Sequence, residues 1–238
     1  MFEMEFMQRA WLAGLIMAVI CPLIGSFLVL RRQSLIGDGL GHIAFAGVAG
    51  GALFGYSPAL SAAVATILGA LAIERVRVKL SDAADMVLAI FFYSGMGLAV
   101  ICTSMNKEGG FNLGSILFGS LMTVSSRDLL IVAALGLCTV LFVILYYRPL
   151  QYLTFDETSA KVAGLPVDKL NMLLAVLTAL TVALSMRIVG LLLVSAMMVI
   201  PVACALQTAK SFAQTILQSM AYGIIAVALG LTDRKSVV

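Results

Sequence analysis

Eight apolar stretches, each close to the length that a bilayer demands, follow one another along this chain with almost no charge inside them. They cover residues 10–30, 36–54, 58–73, 83–105, 129–147, 170–186, 188–206 and 212–231. A helix rises about 1.5 Å per residue, so roughly 20 apolar residues cross a hydrocarbon core of about 30 Å. A soluble fold cannot absorb so many runs of this kind. Charged residues make up only 11% of the chain, against about 25% in a soluble domain. The expected fold class is an all-α integral membrane protein, a polytopic bundle of about eight transmembrane helices. The runs at 58–73 and 170–186 are short and are expected to be tilted or partly shielded by protein. The segment 111–124, FNLGSILFGSLMTV, is apolar but too short to cross, and reads as re-entrant or interfacial.

Orientation follows from the basic residues. With the N-terminus outside, Arg31, Arg32, Arg75, Arg77, Lys79, Arg148, Lys161, Lys169 and Lys210 fall inside, nine against six (Arg9, Lys107, Arg127, Arg187, Arg234, Lys235). This is the asymmetry that the positive-inside rule describes. The net charge of +3 therefore sets topology, and no nucleic-acid partner is expected. Arg187 is expected in a tight outer turn between the sixth and seventh runs. The first run is expected to be a retained anchor, because Glu3 and Glu5 precede Arg9 and no small-residue cleavage site follows. Cys21, Cys102, Cys138 and Cys204 all lie in apolar runs without a CxxC. They are expected to be small buried hydrophobes, not a disulfide framework or a thiolate metal site. No soluble domain is inserted, and the longest polar connection runs over 148–169.

Three stretches carry chemistry. RRQSLIGDGLGH places Asp38 and His42, the only histidine, four residues apart at the start of the second run. On a helix that spacing puts both on one face. Carboxylate and imidazole are ligands for Zn²⁺ and also serve Mn²⁺ or Fe²⁺. Equally, Asp38 can be a helix N-cap and His42 a neutral buried histidine. One histidine per chain leaves two options for a metal: a second chain at a two-fold axis, or a loose site that releases its cargo. FDETSAKVAGLPVDK holds Glu157, Ala160 and Gly164. It fits a short helix ended by glycine with a proline beyond. Its small-residue face can dock on a partner, or the helix can simply connect. VGLLLVSAMMVIPVACA places Pro201 within the seventh run, where it frees a backbone carbonyl and is expected to kink the helix. Met197 and Met198 read as packing residues. Gly47, Gly51 and Gly55, and the run Ser61, Ala62, Ala63 and Ala65, permit close helix approach.

Some functions are excluded by what is missing. There is no G-x-x-x-x-G-K-[ST], so the chain has no phosphate-binding loop of its own. H-E-x-x-H and D-K-T-G are also absent, which removes that type of intramembrane protease and a P-type pump.

Taken together, these stretches resemble the permease subunit of bacterial ABC importers for zinc, manganese or iron, the metal-specific ABC-3 family, which has a type II importer fold like that of vitamin B12 permeases. FLVLRRQSLIGDGLGHIAFAGVAGG resembles the family stretch in which GD-x-x-x-H opens the second span. FNLGSILFGSLMTVSSRDLL resembles the segment before the fifth, FDETSAKVAGLPVDKLN the coupling region, and VGLLLVSAMMVIPVACA the V-G-x-L-L-V stretch with its later proline. The likeness covers about residues 7–231. It implies a transporter subunit rather than an enzyme, set in the bacterial cell membrane. Two permease chains, expected to be identical, would form the pathway. Cytoplasmic ATPase subunits would bind ATP, and an extracytoplasmic protein would deliver the metal. Asp38 and His42 become metal-pathway residues by this likeness. Glu157, Ala160 and Gly164 become part of the ATPase-coupling region at 155–165. No cofactor of its own is implied. The transported ion is expected to be Zn²⁺ from the wording of RRQSLIGDGLGH and ILFGS, with Mn²⁺ or Fe²⁺ as the alternative. Residues 1–231 read as one permease domain. The tail 232–238 departs from the family pattern, and a truncated or altered end is expected there. Two other functions compete. A secondary metal transporter would use more intramembrane acids than Asp38, and a non-transporting anchor or receptor subunit would make Asp38 and His42 dispensable.

Overall fold

The structure, a computed structural model, describes residues 5–80, 83–105, 119 and 125–233. These residues form ten helices: α1 (Glu5–Leu30), α2 (Ile36–Leu53), α3 (Pro58–Lys79), α4 (Ala84–Met105), α5 (Ser126–Leu145), α6 (Tyr147–Phe155), α7 (Glu157–Val162), α8 (Val167–Val189), α9 (Leu191–Thr208) and α10 (Phe212–Asp233). Among the described residues eight of them, all but α6 and α7, are long and apolar enough to cross a membrane. The segment 111–124, apart from Gly119, and residues 234–238 lie outside the described residues.

The two runs expected to be short are full-length helices. α3 continues to Lys79 because Glu74 and Arg77 pair within it, with Arg77 Nε and Nη2 donating to the Glu74 carboxylate at 3.0 and 2.7 Å. The charges that ended the apolar run are good helix formers, and paired they extend the helix. α8 likewise runs from Val167 to Val189. Arg187 therefore lies in its last turn and not in the connection. The break falls at Gly190, whose φ of 93° only glycine adopts freely. α5 begins earlier than the apolar run, at a capping box in which Ser125 and Asp128 satisfy each other's backbone amides.

The described chain divides into two compact units. The first takes in Met1–Ser34, Ser120–Leu165 and Ala196–Val238; the second takes in Leu35–Gly119 and Pro166–Ser195. In the first unit α1 packs against α10, α5 and α6. Pro22 sits inside α1 and leaves the Ala18 carbonyl without its helical donor. Gly223 on α10 fits against that carbonyl: a Cβ there would lie 2.6 Å from Ala18 O. Nearby, the hydroxyls of Ser26 and Ser219 meet at 3.1 Å in the interior. Gly25 on α1 lies so close to α9 that a Cβ would fall 2.0 Å from Met198 O. Gly136 on α5 receives the Ile20 side chain of α1 in the same way.

In the second unit α2 is the hub, packed against α3, α4 and α8. A Cβ on Gly47 would lie 2.6 Å from Ala65 Cβ, and one on Gly51 would lie 2.1 Å from Ser61 Oγ. The glycines of α2 thus face the Ser61–Ala65 run of α3. Gly55 does a different job, a turn at φ 72° with open space around it. Ala44, Phe45, Val48, Ala62, Ala99 and Met186 are buried together. Contrary to the sequence expectation, Cys138 and Cys204 are exposed, and only Cys21 is fully buried. In lipid an outward face is as apolar as a core, so an apolar run does not reveal which side of the helix a cysteine occupies.

Gly25→Ala is expected to destabilise the protein by about 1–3 kcal/mol, because the clash is with backbone that cannot swing away. The detergent-solubilised variant should melt several degrees lower. Gly97 has nothing within 4 Å of a Cβ, so Gly97→Ala should melt at the same temperature or higher. Equal melting temperatures for the two variants would remove the close approach of α1 and α9.

Candidate functional site

The first turn of α2 is built without a side-chain cap. Leu35 occupies the N-cap position, and its side chain makes no capping hydrogen bond. Asp38 sits three residues further on, inside the first turn, so it is not the cap that its position in the sequence allows. A carboxylate there complements the positive end of the helix. His42 follows one turn later on the same face. That ring meets Phe92 of α4 edge-on, with centroids 4.6 Å apart and an interplanar angle of 79°. Phe92 in turn meets Tyr93 at 5.1 Å. Gly95 permits this approach: a Cβ on it would lie 3.1 Å from Ile43 N and 3.2 Å from His42 C.

His42 Nδ1 is buried and has no hydrogen-bond partner among the described residues. A buried polar atom left unpaired costs about 1–3 kcal/mol. A structural histidine is normally oriented by the bond this nitrogen lacks. Among the described residues no group of three or more His, Cys, Asp or Glu converges on one point. A carboxylate and an imidazole are the only such donors on this face, fewer than a closed zinc shell takes. Sequence reasoning did not pick out Phe92 or Gly95. Both lie in an apolar run that gives no hint of which residues face the histidine.

Pro201 and the methionines follow the sequence reading in part. α9 continues through Pro201, which is buried, and Met197 and Met198 are buried as packing residues.

The connection at 148–169 is more ordered than a polar loop. α6 is a separate amphipathic helix with Leu150, Leu153 and Thr154 buried. Its i, i+3 apolar spacing is the signal that could have found it. Phe212 at the head of α10 gathers Phe27, Tyr147 and Phe155 around it at 5.4, 5.8 and 5.7 Å. α7 follows at once. Arg31 Nη2 reaches Glu157 Oε2 at 3.4 Å, and Lys161 Nζ reaches Oε1 at 3.5 Å. The helix ends as a Schellman turn. The Leu165 N–H donates to Ala160 O at 3.2 Å and the Gly164 N–H donates to Lys161 O at 3.0 Å, with Gly164 at φ 79°.

This geometry corrects the face assigned from sequence. Ala160 is 0% exposed and packs inward, while Ala163 and Gly164 stay exposed. The outward side carries Thr158, Lys161 and Gly164, with Val162 at 86% exposure. Val162 is the residue that sequence reasoning missed, because a lone valine in a six-residue helix carries no pattern.

The residues that position Arg31 against Glu157 have a topological consequence. Among the described residues four candidate spans separate the two in the chain, an even number, as contact between residues on one face of a membrane requires.

Residues 3–235 match the family model described as "ABC 3 transport family". The high-affinity zinc uptake system membrane protein ZnuB of Haemophilus influenzae is 32% identical over 97% of this chain and 86% of its own length. The manganese transport system membrane protein MntC of Halalkalibacterium halodurans is 31% identical over 95% of this chain and 78% of its own length. Among solved structures, one described as PsaBC from Streptococcus pneumoniae in complex with Fab superposes with a TM-score of 0.83 at 30% identity. It covers 97% of this chain and 83% of that chain.

Asp156 is the N-cap of α7 and gives the site a pH dependence. Its Oδ1 accepts from the Ser159 N–H at 2.9 Å, and its Oδ2 accepts from the Ser159 hydroxyl. The hydroxyl bond first, and then the backbone bonds, hold its carboxyl below the usual carboxylate range. A depressed pKa contributes order above the unfolded value and loses it as pH falls through the folded one. Hydrogen exchange of the 159–163 amides, corrected for intrinsic rates, should stay slow at neutral pH and quicken only below the ordinary carboxylate range. Asp156→Ala should quicken exchange already at neutral pH. Unchanged exchange in that variant would refute the cap.

Proposed function

This chain belongs to the ABC 3 transport family, and from that premise we propose that it carries Zn²⁺ into the cytoplasm, with Asp38 and His42 as the residues that touch the ion. It is a multi-pass membrane permease of a metal ABC transporter, not an enzyme. The observation that carries the finer reading is the unpartnered Nδ1 of His42, one turn beyond Asp38 on the hub helix of its unit. Zn²⁺ is placed first because imidazole suits it and because the stretch around Asp38 and His42, with ILFGS, resembles the zinc branch. Mn²⁺ is the second reading, favoured by the manganese relative and by the carboxylate.

The N-terminus lies outside. The contact of Arg31 with Glu157 puts both on one face, which the charge count reads as the inner one. A second copy of the chain supplies further donors, two Asp and two His at a two-fold axis. An extracytoplasmic protein delivers the ion. Cytoplasmic ATPase subunits hydrolyse ATP and engage the outward face of α7, where Val162 projects and Glu157 and Ala160 anchor the helix from behind. Two donors per chain hold a divalent ion weakly enough to let it leave, as a conduit must.

ATP-driven uptake of radioactive Zn²⁺ into vesicles holding the assembled transporter tests the site. Asp38→Ala and His42→Ala should each lower uptake roughly tenfold or more, while the ATPase still co-purifies. Mn²⁺ measured in parallel ranks the two cargoes. Full uptake by both variants would sink the ligand role.

Coupling has its own test. Gly164 has open space for a Cβ, but φ is 79°, where an ordinary L-residue loses roughly 1–2 kcal/mol. Gly164→Val should keep hydrolysing ATP while the number of ions moved per ATP drops. Gly164→Asn, which tolerates this conformation, should stay coupled. An unchanged ratio in Gly164→Val would remove the docking role of this turn.

A further inference from the structure

A cleft of about 460 Å³ opens at the C-terminal end of α3, against the first turns of α8. Val76, Val78 and Met172 supply its apolar wall, and Glu74, Arg75, Lys79 and Asp168 stand at its edge. The acids are already engaged. Glu74 is held by both donors of Arg77, and Asp168 has a partner of its own. The cations are not engaged. Arg75 and Lys79 lie four residues apart on one helix face, both exposed. Among the described residues neither forms an ion pair. Lys169 is exposed at the start of α8 and adds positive charge at the same end.

This cleft sits at the polar end of a candidate membrane span, Pro58–Lys79. Val78 and Leu80 are 46% and 49% exposed beside it, so exposed apolar surface lies next to the two cations. We infer that the cleft binds an anionic phospholipid, its headgroup phosphate between Arg75 and Lys79 and an acyl chain along Val76, Val78 and Met172. A free phosphate would match the two cations but leave the apolar wall wet. A lipid satisfies both halves of the cleft. The natural source is the inner leaflet, which rests on the orientation proposed above. Binding itself does not rest on it, because reconstituted bilayers carry the same lipid in both leaflets.

Native mass spectrometry of the assembled transporter tests the inference. The complex is taken from nanodiscs of phosphatidylcholine, with or without phosphatidylglycerol. The wild type should retain phosphatidylglycerol, and the double variant Arg75→Gln, Lys79→Gln should retain roughly 10- to 30-fold less, at about the weight expected for two interfacial cations. Retention of phosphatidylcholine should be low in both. Acylation of Lys79 by an amine reagent gives a second readout in the unmodified protein. Phosphatidylglycerol should shield Lys79 with or without the ATPase subunit, and soluble glycerol phosphate should not. Equal phosphatidylglycerol retention by wild type and double variant would overturn the site. So would shielding by glycerol phosphate, which makes it a phosphate site, or shielding by the ATPase in phosphatidylcholine alone, which makes it a protein dock. None of these readouts depends on metal uptake, so the lipid site and the transport reading stand or fall separately.

Discussion

Close backbone contact through missing side chains is what the rest of this structure depends on. Lipid tails are as apolar as leucine, so no hydrophobic force drives one transmembrane helix onto another. Helices must gain dispersion contacts and settle polar atoms by approaching closely. Gly25 against Met198 O, Gly223 against Ala18 O, and Gly47 and Gly51 against the Ser61–Ala65 run are such contacts. The Pro22 case links two of these needs. The proline leaves a carbonyl without its helical donor, which lipid would penalise, and the glycine opposite lets a neighbouring helix cover it.

The same economy fixes the site. α2 is held on one side by glycine contacts to α3 and on the other by Gly95 of α4, so its rotation about its own axis is set by backbone proximity. That rotation decides where Asp38 and His42 point. His42 keeps an aromatic neighbour in Phe92 but gains no hydrogen bond at Nδ1. The scaffold therefore holds the imidazole by packing and leaves its nitrogen unsatisfied. This suits the pathway role proposed above, because a donor already committed to the protein would have to be released before it could meet an ion.

Much of the fold was legible in the sequence, because the bilayer turns composition into length. Each apolar run became a helix, and errors fell at the ends. The run at 58–73 stopped where charge began, yet Glu74 and Arg77 satisfy each other and carry α3 on to Lys79. Arg187 looked like a turn because it is a lone charge between two runs, but the break needs a positive φ and falls at Gly190. Orientation of side chains was far less legible. Burial in a membrane protein does not follow hydropathy, so Cys138 and Cys204 were misplaced, and Ala160 was read as the outer face of α7 when it is the inner one. The Asp38–His42 pair was singled out by its spacing in an apolar run and given its proposed role by the family resemblance. Its neighbours Phe92 and Gly95 were not, since they come from another helix whose register the sequence does not state.

The build of α7 says how force could pass through so small an element. Six residues cannot hold a helix by propensity, since nucleation alone outweighs so few bonds. Every end of α7 is instead fixed locally: Asp156 caps the start, the Gly164 turn closes the finish, Ala160 packs beneath, and Glu157 is gripped by Arg31 at the foot of α1. A push on Val162 therefore cannot be absorbed by fraying. The contacts of α7 lead through Glu157 to Arg31 at the foot of α1, and the preceding helix carries Tyr147 and Phe155 to Phe212 at the head of α10. A stiff, short element tied to a long packed pair transmits displacement, whereas a flexible loop of the same length would dissipate it. For the coupling role proposed above, the anchoring of α7 at both ends counts for more than the identity of its exposed residues.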